Sequence, residues 1–337
     1  MTGIEHLLRQ LLFWGLPIAI FFIVFSKVNL ELLKANLLQS DLRWIALGLS
    51  VYPLMMILGA SRWNYQLRLY VSNQAALAQT IKFYWMGFPF TLFVPSGLGW
   101  DAHRVLIAGR EYGRFELNIG VIIIEKIIAL FATLLLIVTA YPLTLSYLLS
   151  TSYKHAFNFS ILLLLLMLAA LGIAALFLKH RFITAVLDQT NTYVSSKIKS
   201  IRAKIGVQGR SDSMGNSVHD FLLPMVNPRR SGPILVRSIA IQATSAIAAQ
   251  FFFTAAGYDI PFAVNLFVVP FIFLALILPI SFGGLGVREV AFIVFYGQFG
   301  VPAEIALVVS FFTLMGVLLN CTIGGVLLWC HGTNRLL

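Results

Sequence analysis

Apolar stretches of bilayer-spanning length recur along this chain, and no other feature constrains its fold as strongly. They fall at about 11–27, 44–60, 81–96, 119–141, 157–178, 234–256, 262–280, 289–299 and 303–329. A helix needs ~20 apolar residues to cross the hydrocarbon core, and several of these windows approach or exceed that length. Spanning helices are favoured because they satisfy their backbone hydrogen bonds internally. The chain therefore reads as an all-α polytopic membrane protein. Composition agrees: 59% of the 337 residues are hydrophobic and 11% are charged, against about 25% charged in an ordinary soluble domain.

The net charge of +11 sits mostly in connecting segments, as the positive-inside rule requires. Nothing interleaves aromatic and basic residues as a base-stacking surface would, so nucleic acid is not expected as a partner. The one long polar stretch, 179–233, carries Lys197, Lys199, Arg202 and Lys204 among other basic residues. It is read as a cytoplasmic loop, and its part 182–206 is amphipathic enough to lie on an anionic leaflet. With that anchor both termini are cytoplasmic. The first apolar run has no small-residue cleavage site and reads as a retained helix. Cys321 and Cys330, ~13 Å apart in rise on one helix, are packing residues rather than a disulfide.

Window 81–96 then has basic segments on both sides, with Arg62 and Arg68 before it and Arg104, Arg110 and Arg114 after it. Both flanks belong on one side of the membrane. A re-entrant hairpin satisfies this: in through 81–96, a turn at 95–101, back through 102–110. The turn has a counterpart. FVPSGLGWD (93–101) and ILPISFGGLGVRE (277–289) share an apolar run, a proline, a serine, Gly-Leu-Gly and then an acid. One long window precedes and one follows each unit, so 44–141 and 234–329 read as two repeats of one membrane domain spanning 1–337. Counting crossings makes the halves inverted. The architecture is six full crossings plus two re-entrant helical hairpins, or eight crossings if 262–280 and 289–299 both span. Two glycine turns approaching near the midplane is the layout of secondary transporters with broken helices.

The candidate site lies at these turns. Gly97, Gly99, Gly284 and Gly286 let the backbone turn and expose N–H groups, and a helix restarting there aims its positive end at the turn. That makes an anion site, or else a tight turn where helices pack. Asp101 and Arg104 share a helical face. Arg288 and Glu289 are adjacent and are not expected to pair with each other. The expected pairs run between halves, Asp101 with Arg288 and Arg104 with Glu289; a structural ion-pair lock or charges at the water interface would also explain these residues. In the 119–141 helix, Lys126 is long enough to snorkel. Glu125 faces protein, to carry a proton or hold an arginine, unless it and Lys126 are only an interfacial charge pair. These six charges, three of each sign, make a balanced site. His103 reads as an interfacial histidine without a role. Asn320 with Gly316 and Gly324 forms a small-polar-small row suited to close helix packing. No catalytic constellation, metal-ligand spacing or cofactor motif is apparent, so neither an enzyme nor a cofactor is expected.

At these residues the chain resembles the transmembrane, flippase-like module of lysylphosphatidylglycerol synthases. Pro95, Gly97, Gly99, Asp101 and Arg104 fit its first motif, Glu125-Lys126 its middle motif, and Gly283 through Glu289 its late Gly-Gly-Leu-Gly-Val-Arg-Glu. Asp101 stands where the family often has Glu, which shortens that arm by about one methylene. The lysyl-transferring members carry a long soluble domain after the module, and this chain ends at Leu337. The resemblance therefore implies lipid translocation or binding rather than aminoacyl transfer. The expected function is a flippase-like transporter of an anionic phospholipid or polyprenyl-phosphate lipid in the cytoplasmic (inner) membrane. The headgroup would be held by Arg104, Arg288 and the glycine turns. The alternative is a non-catalytic scaffold or accessory subunit that presents lipid to a separate synthase or glycosyltransferase.

Overall fold

A computed structural model describes residues 29–72, 74–94, 97–113, 115–148, 228–277 and 283–333, together with Asn158. The windows at 11–27 and 157–178, the amphipathic stretch 182–206, and Pro95, Ser96, Pro279 and Ser281 of the two turns lie outside the described residues. Within the described residues there are nine α-helices and no strand. Helix α1 (Leu30–Gln39) starts on Asn29, whose side chain accepts from the N–H groups of Glu31 and Leu32 at 3.1 Å each. Helix α2 (Leu42–Tyr70) is capped in the same way by Asp41. Then come α3 (Leu77–Gly87), continued by a 3-10 turn (Phe88–Leu92), α4 (Leu98–Tyr112) and α5 (Phe115–Thr144). After the basic loop follow α6 (Pro228–Ala255), α7 (Phe262–Ile277), α8 (Val287–Gly297) and α9 (Ala303–Thr333). The four long helices α2, α5, α6 and α9 are apolar and long enough to cross a membrane.

The order long, short, short, long thus occurs twice, and the packing repeats with it. The pairs α2–α3, α3–α4 and α4–α5 are matched by α6–α7, α7–α8 and α8–α9. Between the halves, α2 and α6 form the most extensive seam, α3 packs on α9, and α7 packs on α5. At the central seam Gly48 leaves room for the Phe252 ring, which a Cβ would overlap. Phe252 in turn lies against Tyr52 and Phe312, with ring centroids 6.2 and 5.7 Å away.

Polar groups inside an apolar bundle are costly unless paired, and here they tie the short helices in place. Trp100 on α4 donates its indole N–H to the Tyr84 carbonyl on α3 at 2.9 Å. Tyr296 on α8 donates to Asn265 on α7 at 2.7 Å, and Asn265 donates to Gln250 on α6 at 2.7 Å. The hairpins also touch one another: a Cβ built on Gly283 would lie 3.0 Å from the Leu92 side chain. The Gly316–Asn320–Gly324 row packs as its spacing predicts. Gly316 abuts the Tyr52 ring, and Gly324 faces the Trp85 carbonyl and Pro89. Between them Asn320 accepts from the Trp85 indole and donates to the Tyr52 carbonyl, each at 3.2 Å.

Three boundaries differ from the sequence expectation. The 44–60 window continues as helix to Tyr70, so Arg62 belongs to its interior and not to a cytoplasmic flank. The segment expected to return through 102–110 is a helix over Leu98–Tyr112. The basic loop gives way to helix at Pro228, placing exposed Arg229 and Arg230 in the first turn of α6. Helices extend past the apolar windows because charged residues with buried partners or water-exposed ends do not interrupt them.

A Gly324→Ala substitution should lower thermal stability in detergent by about 1–3 kcal/mol, because its methyl collides with backbone. Gly325→Ala, which meets nothing within 4 Å, should shift it by less than ~0.5 kcal/mol.

Candidate functional site

The first glycine turn positions a buried chain of charges. Gly97 is the N-cap of α4, with φ of 68°, in the left-handed region that glycine adopts without a Cβ penalty. Gly99 lies in the first helical turn, where a Cβ would come 2.6 Å from the Phe90 carbonyl oxygen. With the turn this tight, α4 folds back against α3 and places Asp101 and Arg104 one turn apart against α5. Arg104 donates from Nη2 to Asp101 Oδ1 at 2.6 Å and from Nη1 to both oxygens of Glu125 at 3.0 and 3.1 Å. Arg62, on α2, donates to the same Glu125 Oε1 at 2.9 Å and to the Ser238 hydroxyl of α6 at 2.9 Å. Lys126 closes the other end on Asp101 Oδ2 at 2.9 Å.

The sequence Lys126, Asp101, Arg104, Glu125, Arg62, Ser238 therefore runs from the surface of one half to a helix of the other. Lys126 has a side chain 51% exposed, beside the exposed Ile123 and Ile127 on the same face of α5. Arg104 and Glu125 are almost wholly enclosed. The Arg104 guanidinium also lies over the rings of Trp100, Tyr84 and Trp63, 4.9, 5.1 and 5.5 Å from their centroids. Such contacts stabilise a desolvated cation. Gly59 makes room for Tyr84, whose hydroxyl a Cβ there would overlap.

The second turn is built differently. Gly283, Gly284 and Gly286 have φ of 58°, 80° and 80°. Glu289, in the first turn of α8, folds back so that its Oε2 accepts from the Gly286 N–H at 2.7 Å. Its other oxygen accepts from Arg288 Nη2 and Nε at 2.6 and 3.1 Å. Ser310 of α9 accepts from Arg288 Nε at 3.2 Å and donates to Glu289 Oε1 at 3.3 Å. All of Arg288 and most of Glu289 is buried.

These contacts correct the expected pairing. Asp101 and Arg104 pair with each other, and so do Arg288 and Glu289, in place of pairs between halves. Adjacency does not prevent the second pair, because the helix end holds the Glu289 carboxylate within reach of its long neighbour. The Gly286 N–H is already occupied by that carboxylate. Glu125 holds an arginine, as one of the two expectations had it, and in fact holds two. Lys126 reaches outward and pairs at once. His103 is half-buried and stacks on Phe90, 5.4 Å between ring centroids.

Arg62 is the residue that sequence reading missed. Its signal was positional: one turn after the tightly packed Gly59 and one before Gln66, on the buried face of α2. Adding it changes the charge count of the first cluster. Three cations, Arg62, Arg104 and Lys126, meet two carboxylates, Asp101 and Glu125. One positive charge is left over, where the six-residue count was balanced. Among the described residues no group of three acidic, histidine or cysteine side chains is arranged to hold a metal ion.

A family described as "Lysylphosphatidylglycerol synthase TM region" matches residues 8–322. No curated protein and no solved structure matches the chain. The family match and the four long apolar helices make this a membrane-embedded protein.

Glu125→Gln should cost about 3–5 kcal/mol of unfolding free energy in detergent, since it leaves two buried guanidinium groups without their shared counter-charge. Lys126→Gln, at a half-exposed pair, should cost no more than ~1 kcal/mol. Comparable losses in the two variants would mean that Glu125 does not anchor the cluster.

Proposed function

We propose that this chain, which belongs to the lysylphosphatidylglycerol synthase TM family, carries an anionic lipid headgroup across the membrane. The observation behind this is the charged chain at α2, α4 and α5. It is buried, holds one positive charge in excess, and reaches the exposed face of α5 at Lys126. A headgroup with a phosphate neutralises that excess. Its acyl chains stay in the bilayer, beside Ile123 and Ile127. The headgroup meets Lys126 first, then Arg104 behind Asp101, then Arg62 behind Glu125, each carboxylate able to exchange its partner.

The two-fold pattern of packing supports an inverted repeat of 44–141 and 234–329, with the short helices as re-entrant hairpins. Helices α3 and α8, of 11 residues each, rise ~16 Å, about half the ~30 Å hydrocarbon core. In this reading Arg288 and Glu289 form the counterpart cluster in the second half. Glu289 holds the place of an anion at the Gly286 N–H until a headgroup displaces it. The reading assigns the chain to the inner membrane with both termini cytoplasmic, and assigns it no covalent chemistry.

A second reading has its own support. The Arg288–Glu289 pair is closed on itself and caps α8, as a structural lock would. A protein with one working cluster would bind lipid and present it to a separate synthase or glycosyltransferase without moving it.

Leaflet-resolved scrambling in proteoliposomes separates the two. Labelled phosphatidylglycerol and a polyprenyl phosphate are supplied separately to wild type, Arg288→Ala and Glu289→Gln. Transport should proceed in wild type and fall at least tenfold in both variants. Lipid that co-purifies yet never changes leaflet in wild type would replace transport with presentation.

A further inference from the structure

We propose that Arg62, Trp63, Gln66 and Arg104 form an inner subsite for the phosphodiester oxyanion of a lipid headgroup. The proposal rests on the lipid-handling reading above and adds to it Trp63 and Gln66, which lie in none of the three family motifs. Four adjoining side chains keep polar atoms without a hydrogen-bond partner among the described residues. They are Arg62 Nε, Trp63 Nε1, both amide atoms of Gln66, and Arg104 Nε. Their residues are 8%, 1%, 0% and 1% exposed. Buried polar groups in native proteins are normally paired, and orphans this concentrated mark a place where a ligand supplies the partner.

The residues adjoin one another. Arg62 and Arg104 meet on one carboxylate oxygen, at 2.9 and 3.0 Å. Trp63 has its ring 5.5 Å from the Arg104 guanidinium carbon. Gln66 follows Arg62 by four residues and Trp63 by three, on the same face of α2. Their chemistry is one-sided as well. Apart from the Gln66 carbonyl, every unpaired atom is an N–H donor. A phosphodiester offers only acceptors and one negative charge, matching both the donors and the excess positive charge of the cluster. A zwitterionic headgroup brings a cation that the two arginines repel. A neutral sugar brings hydroxyl donors that find few acceptors.

Two substitutions test this without removing a charge. Trp63→Phe keeps a ring beside Arg104 and deletes the N–H. Gln66→Leu keeps the volume and deletes the amide. The full chain in detergent micelles is titrated by calorimetry with dihexanoyl phosphatidylglycerol, dihexanoyl phosphatidylcholine and soluble glycerophosphoglycerol. Each substitution should weaken phosphatidylglycerol binding about tenfold, the loss expected for one hydrogen bond to a charged group. Melting of the unliganded protein should be unchanged, or raised in Gln66→Leu because an orphaned amide is gone. Phosphatidylcholine should bind more weakly and respond to neither change. Wild-type binding of phosphatidylglycerol that both variants reproduce would remove the subsite and leave lipid handling standing. A wild type that binds no phosphatidylglycerol would remove the subsite and, with it, phosphatidylglycerol as the cargo of the reading above. Glycerophosphoglycerol binding as tightly as the lipid would keep the phosphodiester chemistry and overturn the lipid as its source.

Discussion

Glu125 is the residue on which the site depends. Its carboxylate takes hydrogen bonds from Arg62 and Arg104, which arrive from different helices. Removing a charge from water is expensive, and a buried ion is tolerated only with excellent pairing. Two arginines enclosed in an apolar bundle therefore fix where α2, α4 and α5 lie relative to one another. The aromatic rings around Arg104 complete its enclosure. Through Arg62 and Ser238 the same carboxylate is linked to α6, so one anion sets the spacing of four helices and reaches into the second half of the chain.

The two halves share a packing scheme and differ in chemistry. Each places a short helix after a glycine turn, with an arginine near its start. In the first half that arginine is shared among carboxylates on its own helix and the next. In the second, the arginine near the start of α8 is held by its neighbour, and that neighbour caps the helix. An ion pair that also closes a helix end is a local structure. One that joins three helices is a tertiary structure, and it is the one whose rearrangement would be felt across the bundle.

Much of this was legible in the amino-acid order. The apolar windows located the long helices, because continuous hydrophobicity of that length has few other uses. The paired Gly-Leu-Gly motifs located both turns. The four-residue spacing of Gly316, Asn320 and Gly324 gave a packing row, because close approach depends on side-chain size, which sequence states directly. Partners were harder. Arg62 looked like a helix flank, since hydropathy averages over a window and does not record which face a charge occupies. Arg288 and Glu289 looked unable to pair because helical spacing describes the middle of a helix, and they stand at its end. Which carboxylate an arginine meets is decided by helices distant in sequence, and neither motif nor spacing carries that information.

The stitch made by Asn320 has a consequence for how the chain is made. It joins α9 to Trp85 and Tyr52, residues separated from it by 235 and 268 positions. Domains tend to assemble in the order in which they are synthesised, but here α3 leans on α9, far later in the chain. Helix α3 lacks this contact, and the Trp85 indole N–H lacks its acceptor, until Asn320, 235 residues later, has been synthesised. The halves are interlaced, so the first cannot mature as a finished unit while the second is being translated.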